Sequence, residues 1–196
     1  MNVTPIILEG MHARLEPIAP KHAEDLFSMS RSTELWEFLV APPIQTEGEM
    51  RSWIEKAVKQ TQAGTQIWFA IIRRTDNRAV GVTSYLNISH ADRGVEIGGT
   101  WLSTEVWRTA INTECKYLLV RHAFETLGCI RVQLKTDERN LRSQRAIARL
   151  GAVKEGTLRK YQVTHTGHQR NTVMFSIIDS EWPAVKARLE GMLTSQ

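Results

Sequence analysis

The chain has 196 residues, 42% of them hydrophobic and 23% charged, which suits one domain with a full core and leaves little room for two. Its 25 Lys and Arg against 21 Asp and Glu give a formal charge of +4 with no basic run, which disfavours nucleic acid and suits an anionic small ligand or an acidic partner. Cys115 and Cys129 fit no metal spacing, no leader pattern opens the chain and no apolar run nears membrane-spanning length, so a cytoplasmic protein with buried free thiols and no membrane partner is expected.

In chain order, residues 12–17 (HARLEP) alternate apolar and polar and predict a first strand. Residues 21–30 set Ala23, Leu26 and Phe27 at helical spacing, and residues 33–39 offer a second short helix before the Pro42-Pro43 break. Thr46-Glu47-Gly48-Glu49 has the form of an N-cap with an acidic first turn. The helix it opens runs through Ala63, with Met50, Trp53, Ile54, Ala57 and Val58 inward and Gly64 as its stop. Ile67–Arg73 is apolar on both faces, as a central strand should be. Ala79–Ser89 follows the turn Thr75-Asp76-Asn77-Arg78, and Gly94–Leu102 follows His90-Ala91-Asp92-Arg93, so the three strands predict an antiparallel meander.

A helix over residues 114–127 is closed by Gly128, and residues 129–135 (CIRVQLK) alternate as a strand. Asn140 or its neighbour caps a helix to Leu150, stopped by Gly151. Residues 152–163 and Gln169–Ile178 form two strands around the loop 164–168, and residues 180–193 form a last helix with Trp182-Pro183 in its first turn. This order predicts a single α+β domain, 1–196, with a mixed sheet of about seven strands, and excludes the βαβ alternation of a dinucleotide fold.

The chain is organised around residues 100–113, TWLSTEVWRTAINT, where an extended segment meets a helix. A tight turn into a helix leaves N–H groups unpaired at the positive end of the helix dipole, which suits a phosphate; Thr and Asn there are otherwise ordinary caps.

The segments RLEPI, VGVTSYLNI, EIGGTWLS, VWRTAINTEC and IRVQLKT, followed by ERN, RSQRAIARLGAVKEGTLR and the closing hairpin, resemble the GNAT-superfamily N-acetyltransferases. The resemblance is to the RimJ/RimL-type branch and covers nearly the whole chain. It implies a mostly antiparallel sheet whose fourth and fifth strands splay apart, acetyl-CoA as cofactor with CoA as product, and an amine acceptor. By that likeness Trp107, Arg108, Thr109, Ala110, Ile111, Asn112 and Thr113 hold the pyrophosphate, although Ala110 and Asn112 stand where the family has Gly and Gly or Ala. Asn140-Leu141-Arg142-Ser143-Gln144-Arg145 is similar to the family's N-x-x-S-x-R. Asn140 is thereby expected at the pantetheine arm, Ser143 near the sulfur and Arg145 near the phosphates. Backbone groups of Thr100, Trp101 and Leu102 are expected to pair with pantetheine, and the Leu102 N–H to donate to the oxyanion. Where many members carry a general-acid tyrosine this chain has Ile147, which leaves Ser143 as the candidate acid.

The attacking amine must be neutral, which requires a base. Glu96 is the only charge in VEIGGTW, on the face opposite Val95 and Ile97, and is either that base or the partner of a nearby Arg. His90, His165 and His168 are rival bases but read first as solvated loop residues. His122 reads as a core histidine, Trp36, Trp53 and Trp68 as core, and Trp101 as the tryptophan beside the reaction centre. The acceptor is a protein or peptide N-terminus or a small primary amine, and a homodimer is left open. The competing classes are a catalytically silent acyl-CoA-binding or regulatory module, favoured by the departures at Ala110, Asn112 and Ile147, and, last, a nucleic-acid-binding domain.

Overall fold

The computed structural model describes residues 1–194. Eight strands form one sheet: β1 (Leu8–Glu9), β2 (Ala13–Pro17), β3 (Ile67–Arg73), β4 (Ala79–Ser89), β5 (Gly94–Leu102), β6 (Arg131–Asp137), β7 (Val153–Val163) and β8 (Gln169–Ile178). Their spatial order is β1-β2-β3-β4-β5-β6-β8-β7. Every neighbouring pair is antiparallel except β5 with β6. Helices α1 (Ala23–Met29) and α2 (Glu47–Gln62) cover one face. Helices α3 (Ala110–Arg121), α4 (Leu141–Leu150) and α5 (Trp182–Thr194) cover the other.

Strand alternation sorts the core between the two faces. Leu15, Phe69, Ile71, Val95 and Ile97 pack toward α3, while Ala70, Ile72, Val82 and Trp101 pack toward α1 and α2. Thr46 caps α2 as its sequence predicts: its hydroxyl accepts from Glu49 N at 3.1 Å, and the Glu49 carboxylate reaches back to Thr46 N at 3.2 Å. Met50, Ile54 and Ala57 then fall on the buried stripe, and sequestering each of the two larger side chains contributes about 2 kcal/mol.

Three elements differ from expectation. The eighth strand, β1, is two residues long, too short for alternation to register. Residues 33–39 form only the single 3-10 turn Thr33–Leu35, and Trp36 Nε1 ties this segment to the Ser30 carbonyl at 2.8 Å. Helix α3 starts at Ala110, four residues before the expected start, because Thr109 is its N-cap: its hydroxyl accepts from Ile111 N at 3.3 Å. The helix gives way over His122–Thr126 to a π turn, in which Leu127 N donates to the His122 carbonyl at 3.0 Å.

Glu114, at 4% exposure, holds the front of α3 to the sheet. Its carboxylate accepts from the backbone N–H groups of Met11, His12 and Ala13, each at 2.7 Å, so one buried anion fixes the turn between β1 and β2. Buried donors left without that acceptor would each lose the compensation for leaving water.

The sheet opens where the site lies. The parallel ladder of β5 and β6 joins Gly94 to Arg131, Val95 to Val132 and Glu96 to Gln133, and both strands continue past it unpaired with each other. On the other edge of β5 a bulge sets Gly99 and Thr100 opposite Thr83. Gly99 takes φ +61°, a conformation costly for a side chain, and lies against the Trp68 ring.

Candidate active site

A cleft of about 1640 Å³ occupies the gap between β5 and β6 and continues onto both faces of the sheet. Residues 98–102 form one wall, Leu134, Lys135 and Thr136 another, and the starts of α3 and α4 close one end. At the other end, Trp36, Phe38, Trp53, Trp68 and Trp101 make an aromatic wall.

The α3 end is cationic. Arg108 adopts φ 63° to turn the chain into the helix. The Thr109 hydroxyl donates to the Val106 carbonyl at 2.8 Å while accepting from Ile111 N. The N–H groups of Ala110 and Asn112 are first-turn donors without intrahelical acceptors. Arg108, Arg142, Arg145 and Arg149 all line this end, and the Arg142 guanidinium lies 3.6 Å from the centre of the Trp107 ring.

Trp107 Nε1 donates to the Leu102 carbonyl at 2.8 Å. The Ser103 N–H donates to the Val80 carbonyl at 2.8 Å, and Val82 faces Trp101. Antiparallel alternation therefore makes Gly81 and Leu102 a non-hydrogen-bonded pair, and directs the Leu102 N–H away from β4 toward the cleft. Across the gap, Asn140 caps α4 by accepting from Ser143 N at 2.9 Å. Ser143 and Ile147 both line the cleft, Ser143 half-buried and Ile147 buried.

On the α1 and α2 face, Glu96 is 1% exposed. Its Oε2 accepts from Asn87 Nδ2 at 2.8 Å, Lys135 Nζ at 3.1 Å and Gln133 Nε2 at 3.2 Å. Its Oε1 has no hydrogen-bond partner among the described residues. Asn87 takes φ 46° within β4 to bring its amide there, a costly backbone for a non-glycine residue and one that gathers at functional sites. The ion-pair partner of Glu96 is thus a lysine of the adjacent strand, not an arginine.

On the opposite face Lys116 of α3 is buried at 7% exposure and lines the cleft. Its Nζ donates to Thr100 Oγ1 at 2.7 Å and more weakly to Thr83 Oγ1 at 3.4 Å. Burial pushes its pKa down to about 8.

Of the residues the sequence nominates, Glu96, Thr100, Trp101, Leu102, Trp107, Arg108, Thr109, Asn112, Asn140, Ser143 and Arg145 line this one cleft. Ala110 and Ile111 are buried behind the first turn of α3. Thr113 is fully buried, and its hydroxyl accepts from Arg149 Nη2 at 2.9 Å; the earlier helix start puts it inside the second turn. His90, His165 and His168 are exposed and absent from the lining, His90 Nδ1 lying 2.8 Å from the Met1 carbonyl oxygen. His122 stacks on Tyr85 in the core.

Sequence reasoning missed Asn87, Lys116 and Lys135. For Lys135 a signal existed, since alternation in CIRVQLK sets it on the face of Gln133. For Lys116 it was a lone cation inside an apolar helical run.

A family model described as the acetyltransferase (GNAT) domain matches residues 12–153. An uncharacterized N-acetyltransferase, YoaA of Bacillus subtilis, is 26% identical over 172 residues, 88% of this chain and 96% of that protein. The crystal structure of a GCN5-related N-acetyltransferase from Brucella melitensis superposes with a TM-score of 0.89 at 31% identity, covering 97% of this chain and 89% of that one. The fold is shared by Mycobacterium smegmatis RimJ, solved with CoA-disulfide, at a TM-score of 0.82 and 20% identity over 96% and 95% of the two chains. The match over most of the length, together with the opened β5–β6 ladder, identifies the chain as a member of the GNAT acetyltransferase family, whose acyl donor is acetyl-CoA.

Proposed function

We propose that this protein transfers an acetyl group to a primary amine, a protein or peptide N-terminus or a small molecule, by direct attack in a ternary complex within the β5–β6 cleft. The observation that carries the reading is the asymmetric binding of Glu96: three donors on one carboxylate oxygen and none on the other.

The residues present fit the acyl donor. The α3 end gathers Arg108, Arg142, Arg145 and Arg149 around first-turn N–H groups, as an anionic pyrophosphate and phosphate require. Beyond Glu96, β5 offers an edge unpaired with β6, along which Thr100, Trp101 and Leu102 can accept an extended amide chain as an added strand. Asn112 adds an amide to that end in place of a smaller residue, and Asn140 and Ser143 line the opposite wall. Bound acetyl-CoA supplies an acyl carbon activated as a thioester.

Glu96 Oε1 takes the proton of the incoming ammonium, directly or through a water, and passes it to solvent. Asn87, Gln133 and Lys135 meanwhile hold the carboxylate by Oε2. The Leu102 N–H supplies a fixed donor where an oxygen gains negative charge. Ser143, a half-buried hydroxyl on the first turn of α4, gives a proton to the departing sulfur and is refilled, through water, by the second proton that the nitrogen loses on becoming an amide. The aromatic wall of Trp36, Trp53, Trp68 and Trp101 excludes water around the amine.

The test is release of free thiol from acetyl-CoA against a panel of amines and N-terminal peptides, with products identified by mass. At least one acceptor class should accelerate release and gain an acetyl group. Release no faster than hydrolysis with every acceptor would contradict the reading.

A further inference from the structure

Lys116 is a buried cation with no carboxylate. No acidic oxygen pairs with it among the described residues, and its donors go to two threonine hydroxyls on neighbouring strands. A charge in that position needs a reason, because a methionine of the same length would pack there without desolvation cost.

The hydroxyls account for the hydrogens. Thr83 Oγ1 and Thr100 Oγ1 are 2.8 Å apart, and Thr83 is fully buried while Thr100 is half-buried and lines the cleft. An ammonium can only donate. If Lys116 and Thr83 both donate to Thr100 Oγ1, its two lone pairs are filled, and its own hydrogen is left to point into the cleft. The result is a hydroxyl donor backed by a positive charge, on the stretch of β5 that is unpaired with β6.

We propose that Thr100 and Lys116 act as a charged donor pair that stabilises the sulfur leaving in the transfer, a role that rests on the acetyltransferase reading above. As the bond between acyl carbon and sulfur breaks, its electron pair goes to sulfur. The Thr100 Oγ1–H bond and the Lys116 charge meet that negative charge, and neither residue gives up a proton. The proton arrives afterwards, from Ser143. Thr100 is the residue in contact, and Lys116 positions and polarises it.

Among the described residues, no other charged side chain hydrogen-bonds or ion-pairs with Lys116. On α3, Glu114 is turned to the Met11, His12 and Ala13 amides, and burial pushes the Cys115 thiol up to about 12, so it stays neutral. On α4, Arg149 is held by Thr113. On β4 and β5 the contacts are the neutral Thr83 and Thr100, and Glu96 lies on the other face of β5. With its pKa at about 8, the pair is charged below that pH and its support for a thiolate is lost as pH rises through it.

The test is the ionisation of the thiol of bound CoA, followed by thiolate absorbance, in wild type, Lys116→Met and Thr100→Val, with thiol-free desulfo-CoA as the affinity control. In wild type the bound thiol should titrate roughly one unit or more below free CoA, as expected beside an unpaired cation. Both variants, saturated with CoA, should lose that lowering whatever their affinity for desulfo-CoA, an outcome that a merely structural lysine would not produce. If Lys116→Met does not fold, the nearly isosteric Thr100→Val decides. Wild-type protein that binds CoA with an unshifted thiol, or variants that keep the shift, overturn the pair's role and leave the acetyltransferase reading standing. Wild-type protein that binds no CoA overturns that reading and the pair with it.

Discussion

Gly98 lies against the free oxygen of Glu96: a Cβ at position 98 would sit 2.8 Å from Glu96 Oε1 and 2.8 Å from Leu86 Cδ1. Any side chain there would displace this buried oxygen, which has no hydrogen-bond partner among the described residues. Gly98→Val should therefore lower kcat/KM by about a hundred-fold, the scale of a misplaced catalytic contact, while CoA still raises the melting temperature by mass action. Equal losses of CoA protection and activity would instead point to a collapsed sheet.

Glu114 gives a stability prediction separate from catalysis. Glu114→Gln replaces one accepting oxygen with an NH2 group facing backbone N–H groups, in a site where three amides share one carboxylate. The cost should be about 3 kcal/mol, or roughly 6–12 °C in melting temperature for a chain of this size. A shift under ~2 °C by calorimetry would mean that water replaces the carboxylate without penalty.

Acid stability should rest in part on Glu16. Burial raises its pKa, but hydrogen bonds from Lys21, Arg14 and His22 outweigh this and bring it down to about 2 from an ordinary 4.5. A depressed carboxylate contributes stability that is complete above its unfolded value and disappears as pH falls through the folded one. The window is thus from about pH 4.5 down to about pH 2, with of the order of 3 kcal/mol at stake. His22 adds to the same slope, because burial lowers its pKa and the unfolded ring takes a proton more readily. Urea midpoints between pH 6 and pH 2 should fall steeply in wild type and less in Glu16→Gln. Parallel curves would remove Glu16 from the acid transition.

The strands β3, β4, β5 and β8 lie where their sequences place them, since alternation and turn residues bound each one locally. The start of α3 was less legible because Thr109, Asn112 and Thr113 are all competent caps. What selects Thr109 is the left-handed Arg108 before it, a backbone choice that no side chain announces. The cleft could be named from its backbone stretches and from Glu96. Its lysines carried only weak signals, because Lys defaults to a solvated surface and these two are fixed by contacts between distant segments. Lys135 meets Glu96 only through the parallel β5–β6 register, and Lys116 meets Thr100 only once α3 lies on the sheet. Asn87 was hidden for the same reason as Arg108: its role depends on a positive φ inside a strand.

The central claim is that Glu96 removes the proton from the acceptor amine, and the pH dependence of kcat/KM for wild type and Glu96→Gln tests it most directly. Glutamine keeps the size and the hydrogen bonds but cannot accept the proton. The variant should lose about a hundred- to ten-thousand-fold in rate near neutral pH. Its pH profile should differ in shape from that of wild type on the acid side, and it should regain part of its activity at high pH, where the amine loses its proton unaided. Profiles of identical shape in the two proteins, on an acceptor that both acetylate, would contradict the account.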